Sequence, residues 1–173
     1  MKLFAKDLEL SPIVLNLFSC PNALLTHVEW QIRDNLIDSS PITWSRQMLD
    51  PVCFKTTVQA KVTNEKFSHL VSVLASWGKL RFETYQLSRN GQISARYSAT
   101  PTLGIYRAVI NEMGDAMITE SQLKAAMKRA QEENNDVSSE IEFMLGKPWD
   151  DELEIFRINS ESSVLRAAFR TGS

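Results

Sequence analysis

A histidine, a carboxylate and an indole crowd together at His27-Val28-Glu29-Trp30. An imidazole beside a carboxylate can act as a general base or hold a metal. The plainer alternative is a helix whose indole packs at the core boundary and whose histidine is partly exposed. The other histidine, His69, falls between apolar positions of a later helical stripe and reads as a rim residue. Cys20 is followed by Pro21-Asn22, where a helix is expected to start. A thiol at a helix N-terminus has a lowered pKa and can become a nucleophile. A small buried packing cysteine is the competing reading. The third constellation is Leu145 to Glu154, LGKPWDDELE, in which Trp149 follows a proline and leads into Asp150-Asp151-Glu152. Such an indole can dock a partner. It can equally pin a tail to its own domain while the acids favour the start of a helix. The candidate ligand or partner residues are therefore His27, Glu29, Trp30, Trp149, Asp150 and Asp151, and no catalytic residue is assigned.

Other chemistries find little support. There is no H-x-x-x-H, no C-x-x-C and no carboxylate loop built around a calcium-site glycine, so neither a metal nor a cofactor is expected. The oxygen-bearing run Asn111 to Asp115 is better explained as a hairpin turn. No G-x-S-x-G is present, and the 6 glycines stand singly rather than in a phosphate-cradling cluster. The formal net charge of −2 argues against a surface devoted to neutralising phosphates. The longest apolar run, Ile13 to Phe18 interrupted by Asn16, is far too short to cross a bilayer. Two cysteines are too few for a disulfide framework, and with no signal-peptide pattern a cytoplasmic location with free thiols is expected.

These candidates must be positioned by regular elements. Residues 1–11 read as a flexible N-terminal arm. Ile13 to Ser19 is apolar on both sides, as suits a central strand covered on both faces. Leu25, Val28, Ile32 and Leu36 then form one helical stripe, with Glu29 and Arg33 paired beside it. Strands are expected at Ile42 to Met48 and at Phe54 to Val62, turning at Asp50-Pro51. A helix capped by Asn64 carries Phe67, Leu70, Val71, Leu74 and Trp77 inward and stops at Gly78. Leu80 to Leu87 and Ile93 to Thr100 pair through the Asn90-Gly91 turn, and Leu103 to Ile110 forms a short hairpin with Ala116 to Ile118. Thr119 with Gln122 makes a capping box for a helical tail that continues at Val137 to Leu145 and ends near Arg157.

The order β-α-β-β-α-β predicts an α+β chain, a ferredoxin-like (split βαβ) antiparallel sandwich with extra hairpin strands and a C-terminal helical extension. A single domain is expected over residues 12–158, with 159–173 a loose tail. RNA-binding modules of this topology stack bases on strand aromatics. Here the corresponding strand turns Lys55, Thr57, Gln59 and Lys61 outward, so no nucleic-acid partner is expected.

Four phrases occur together: HVEW at His27, LRFE at Leu80, RYSATPTLGIYRA at Arg96 and LGKPWDDELEIFR at Leu145. In this combination and order the chain resembles an uncharacterised actinobacterial family, domain of unknown function 3145, from about Leu15 to Arg157. The resemblance implies one continuous cytoplasmic domain and carries no activity, cofactor or catalytic residue. Residues 1–11 and 159–173 fall outside it. The expected function is that of a non-catalytic binding or interaction module, with an unknown protein or small-molecule partner and a homodimer as possibilities. The rival is a small-molecule-binding protein or enzyme with a pocket near the first helix, using His27 and Glu29.

Overall fold

The computed structural model describes residues 9–158. Seven strands form one antiparallel sheet in the order β2-β3-β1-β4-β5-β6-β7. They are β1 (Leu10–Pro21), β2 (Ser45–Arg46), β3 (Cys53–Thr63), β4 (Arg81–Leu87), β5 (Ile93–Thr100), β6 (Gly104–Ile110) and β7 (Ala116–Met117). Five α-helices accompany them: α1 (Leu25–Asn35), α2 (Asn64–Ser76), α3 (Glu120–Glu132), α4 (Val137–Met144) and α5 (Lys147–Ile158). The fold is α+β. Leu10 and Ser11, read from sequence as the end of an arm, pair with Thr63 and Val62 of β3. The rest of that arm, residues 1–8, and the tail from 159 onward lie outside the described residues.

The alternation along each strand sorts the sheet into an inner and an outer face. On the inner face Ile13, Leu15 and Leu17 of β1, Val58, Ala60 and Val62 of β3, and Phe82 of β4 meet Val28 and Ile32 of α1 and Phe67, Leu70 and Leu74 of α2. The two helical stripes were legible as such because their apolar residues recur at helical spacing. On the outer face Phe18 meets Leu153 and Phe156 of α5, and Tyr106 and Ala108 meet Trp149. This is why β1 is apolar on both sides: helices cover it from above and below.

The central strand is not regular. Leu17 pairs with Thr56 and Phe82, but Cys20 pairs with Phe54 and Ser19 with Arg81, so β1 carries one extra residue at this point. Such a bulge disrupts the ladder locally and re-aims side chains. Here it returns Cys20 to the inner face that Leu17 occupies. The carbonyl of Phe18 receives Nε2 of Gln47 at 2.5 Å, and the other end of that amide accepts from the Leu49 N–H at 3.2 Å. Gln47 is only 1% exposed. Its inward turn shortens the second strand, expected over Ile42 to Met48, to Ser45–Arg46. Trp44 is drawn the other way, its Nε1 donating to Glu29 Oε1 at 2.9 Å.

Smaller differences have local causes. The cap of α2 is Thr63, whose side chain accepts from the Lys66 N–H, and the expected cap Asn64 instead accepts from Gln86 Nε2 at 2.7 Å. The capping box of Thr119 and Gln122 is present at α3. Gly146, at φ +84°, ends α4, and α5 starts directly behind it with Pro148 inside its first turn. Gln47→Leu removes the donor from a buried carbonyl while keeping the volume similar. It is expected to cost about 1–3 kcal/mol, read as a lower urea midpoint with an unchanged slope.

Candidate functional site

The residues singled out from sequence fall into two separate places. On α1, Glu29 is committed: Oε1 accepts from Trp44 Nε1 at 2.9 Å and Oε2 from Arg33 Nη2 at 3.0 Å. His27 is exposed and meets Trp30 edge-on, ring centres 6.5 Å apart. Trp30 is 66% exposed, so it does not pack at the core boundary. An open surface concavity near this helix is lined by Trp30, Gln31, Arg33 and Asp34, and neither His27 nor Glu29 lines it. The imidazole and the carboxylate therefore share a helix without sharing a pocket. His69 is exposed on α2.

Cys20 does not stand at a helix N-terminus. It lies in β1 and is 0% exposed, and a 3-10 turn (Asn22–Leu24) separates it from α1. Burial pushes its thiol up to about 12, with the nearby Cys53 adding to the shift. The thiolate that nucleophilic chemistry needs is disfavoured, the opposite of the helix-terminus expectation. Cys53 donates to Asp50 Oδ2 at 3.1 Å, and both cysteines are free. The sign of the pH effect follows. The unfolded thiol ionises near its ordinary value while the folded one holds its proton, so Cys20 costs stability as pH rises from about 9 toward 12. Replacing it by alanine should flatten the loss of urea midpoint over this alkaline range, even though the variant is less stable at neutral pH.

The second place lies under α5 on the outer face. Glu83 of β4 is 0% exposed. Its carboxylate accepts from Tyr85 Oη at 3.0 Å, Ser98 Oγ at 3.1 Å and Arg157 Nε at 3.0 Å, and Arg157 Nη2 closes on its other oxygen. Arg157 Nη2 also reaches Asp150 Oδ1 at 2.6 Å. Asp150 in turn takes both Nη atoms of Arg96, at 3.0 and 3.4 Å. Two residues on, Glu152 accepts from Arg81 Nε at 3.2 Å and from Thr100 Oγ1 at 2.9 Å. Burial works to lower the pKa of Arg157 and of Arg96, but the carboxylates around them raise both overall. Burial and the Glu83 charge raise that of Tyr85. The assembly is an ionic clamp between sheet and helix whose charges pair with one another, while Arg96 Nε is buried with no hydrogen-bond partner among the described residues.

An aromatic clasp sits beside the clamp. Trp149 stacks on Tyr106 with ring centres 5.1 Å apart, meets Phe143 at 5.2 Å, and donates Nε1 to the Gly104 carbonyl at 3.0 Å. Tyr106 donates to the Met144 carbonyl at 3.0 Å. A Cβ on Gly146 would overlap the Tyr106 ring, so glycine is required there by space as well as by φ. Of the acidic turn, Asp150 belongs to the clamp, whereas Asp151 is exposed and pairs with Lys147 at 2.8 Å. Sequence reasoning missed Glu83, Arg96 and Arg157. The available signal was the two-sided apolar pattern of β1, which demands a second covering layer on the face where Glu83 sits.

A third region was not singled out at all. On the inner face α2 reaches as far as Tyr97 of β5, where Phe67 meets the ring edge-on at 5.2 Å. Beyond that limit Ile105, Val109 and Met117 of β6 and β7 are 45%, 48% and 52% exposed. The Val109–Met117 pairing puts them on one face. Among the described residues no three His, Cys, Asp or Glu side chains gather as metal ligands, and no helix is long and apolar enough to cross a membrane.

Breaking the clamp on one side strands a buried charge. Arg157→Met is expected to cost about 3–5 kcal/mol, and adding Glu83→Gln should recover much of that loss. A double-mutant cycle from denaturant unfolding checks the coupling.

No curated protein and no solved structure matches the chain. A family described as protein of unknown function (DUF3145) matches residues 14–168. That span extends past Arg157, where the phrases read from sequence ended, into residues first taken as a tail outside the resemblance. Three of the four phrases, those containing Glu83, Arg96 and Asp150 to Arg157, meet in the ionic clamp and the aromatic clasp. The chain belongs to the DUF3145 family of proteins of unknown function.

Proposed function

We propose that the chain is a non-catalytic interaction module whose working surface is the uncovered inner face of β6 and β7. The observation that carries this reading is the row of half-exposed apolar side chains Ile105, Val109 and Met117, joined at the β6–β7 turn by Met113, 88% exposed. Half-exposed apolar groups gathered on one face of a sheet edge mark a contact surface more than singly scattered ones do. The acid–base alternative at His27 and Glu29 is not favoured, because Glu29 is held by Trp44 and Arg33 and the nearby concavity excludes both residues.

Two finer readings accompany the proposal. The neighbouring strands β2-β3-β1-β4, with α1 between the first and second strands in sequence and α2 between the third and fourth, support a split βαβ, ferredoxin-like unit to which β5–β7 and the helical arm were added. Free cysteines in the core suit a cytoplasmic setting, and an actinobacterial source rests on the sequence phrases alone.

Native mass spectrometry of gently purified protein tests the module reading. It expects protein complexes, of the chain with itself or with another protein, that vanish in Ile105→Lys/Val109→Lys while the circular dichroism spectrum and Tm stay unchanged. A small-molecule mass carried by the folded chain and lost on denaturation would count against it.

A further inference from the structure

The uncovered strip also has a charge pattern. Arg107 lies between Ile105 and Val109 on the same face of β6 and rests over the Tyr97 ring, its guanidinium carbon 5.7 Å from the centroid. Among the described residues it makes no ion pair. Asp115 stands just before β7, where the Asn111 N–H bonds its carbonyl at 2.9 Å. Among the described residues its carboxylate has only a long contact to Asn111 Nδ2, 3.5 Å, and no cation. Val109 pairs with Met117. Arg107 is two residues to one side of that pair and Asp115 two residues to the other, each about 7 Å away along the strands.

An apolar centre with a cation on one side and an anion at the same distance on the other is complementary to itself. A two-fold axis lying between two such faces, crossing the strands at the Val109–Met117 pair, carries Arg107 of one copy to Asp115 of the other and the reverse. The contact is then isologous, each copy using the same patch. Packed sheets stand about 10 Å apart, a gap that apolar side chains from both faces fill.

Building on the module reading, we infer that the partner of this face is a second copy of the chain, docked sheet to sheet through Ile105, Val109 and Met117 with two Arg107–Asp115 pairs fixing the register. The strip is small beside the roughly 800 Å² per partner of a standard stable interface. The dimer is accordingly weak and concentration-dependent, and its apolar centre gives affinity while the charges give orientation.

Sedimentation equilibrium of the full chain over a roughly hundredfold concentration range tests this. The wild type should pass from monomer to dimer. Arg107→Asp and Asp115→Arg should each shift it to monomer by like-charge opposition, and the double reversal should restore the dimer. If Arg107→Asp loses its fold along with the Tyr97 contact, Asp115→Arg against Asp115→Asn makes the same comparison, with the reversal weakening the dimer more. A wild type that stays monomeric throughout, single reversals that leave the dimer intact, or a double reversal that fails to recover it would each overturn self-pairing. A monomer with no small-molecule mass leaves the module reading standing with a different protein on the face. A bound small molecule removes the module reading itself.

Discussion

The carboxylate of Glu83 is the constraint around which the outer half of the molecule is arranged. It points to the face that β1 and β4 must bury, and it is removed from water entirely. An ionised carboxylate in that position is tolerable only if donors surround it and a cation neutralises it. The strands supply Tyr85 and Ser98 as donors, but the cation comes from the far end of the chain in Arg157. Helix α5 is thereby required to cross the sheet at one height and in one rotation, since Arg157, Asp150 and Glu152 must meet three fixed groups at once. Apolar contacts at Leu153 and Phe156 would allow sliding that the ion pairs forbid. Specificity of placement is the gain, and net stability is the smaller part of it.

The two faces of the sheet thus solve the same burial problem by different chemistry. The inner face uses volume: Ile, Leu, Val and Phe from strands and helices interdigitate with no charged group among them. The outer face uses geometry, and its two small apolar clusters flank the ionic clamp instead of replacing it. Gln47 at the β1 bulge follows the same logic at smaller scale, a buried amide satisfying a carbonyl that the irregular ladder leaves without a partner.

What could be read from the chain was local. The alternation of Val58, Ala60 and Val62, the helical stripes of α1 and α2, the Asn90-Gly91 turn and the Thr119–Gln122 capping box are each contained within a few neighbouring residues, and each is present. The succession of strand and helical segments that makes the chain α+β is nearly as legible. The clamp was not, because LRFE is an ordinary alternating strand until its glutamate is known to lie beneath a helix. The bulge carried no glycine to announce it, and the truncated second strand depended on Gln47 turning toward that bulge. Cys20 was misplaced for the same reason, since one extra residue decides which face a thiol enters. The exposed strip on β6 and β7 was invisible because alternation shows which residues share a face and not whether a helix reaches it.

The pairing of Glu83 with Arg157 spans 74 positions of sequence, and that separation bears on how the chain is made. Synthesis proceeds from the N-terminus, and segments tend to fold as they emerge. The whole inner layer, β1 through β5 with both of its helices, can collapse while Arg157, the direct partner of Glu83, does not yet exist. Until α5 arrives, the outer face of the nascent sheet holds Glu83 open to water, with Arg81 and Arg96 on the same face but without Arg157. Those charged groups keep the unfinished face wet and discourage it from sticking to other chains during the interval. The residue that demands α5 is also one of those that protect the intermediate waiting for it.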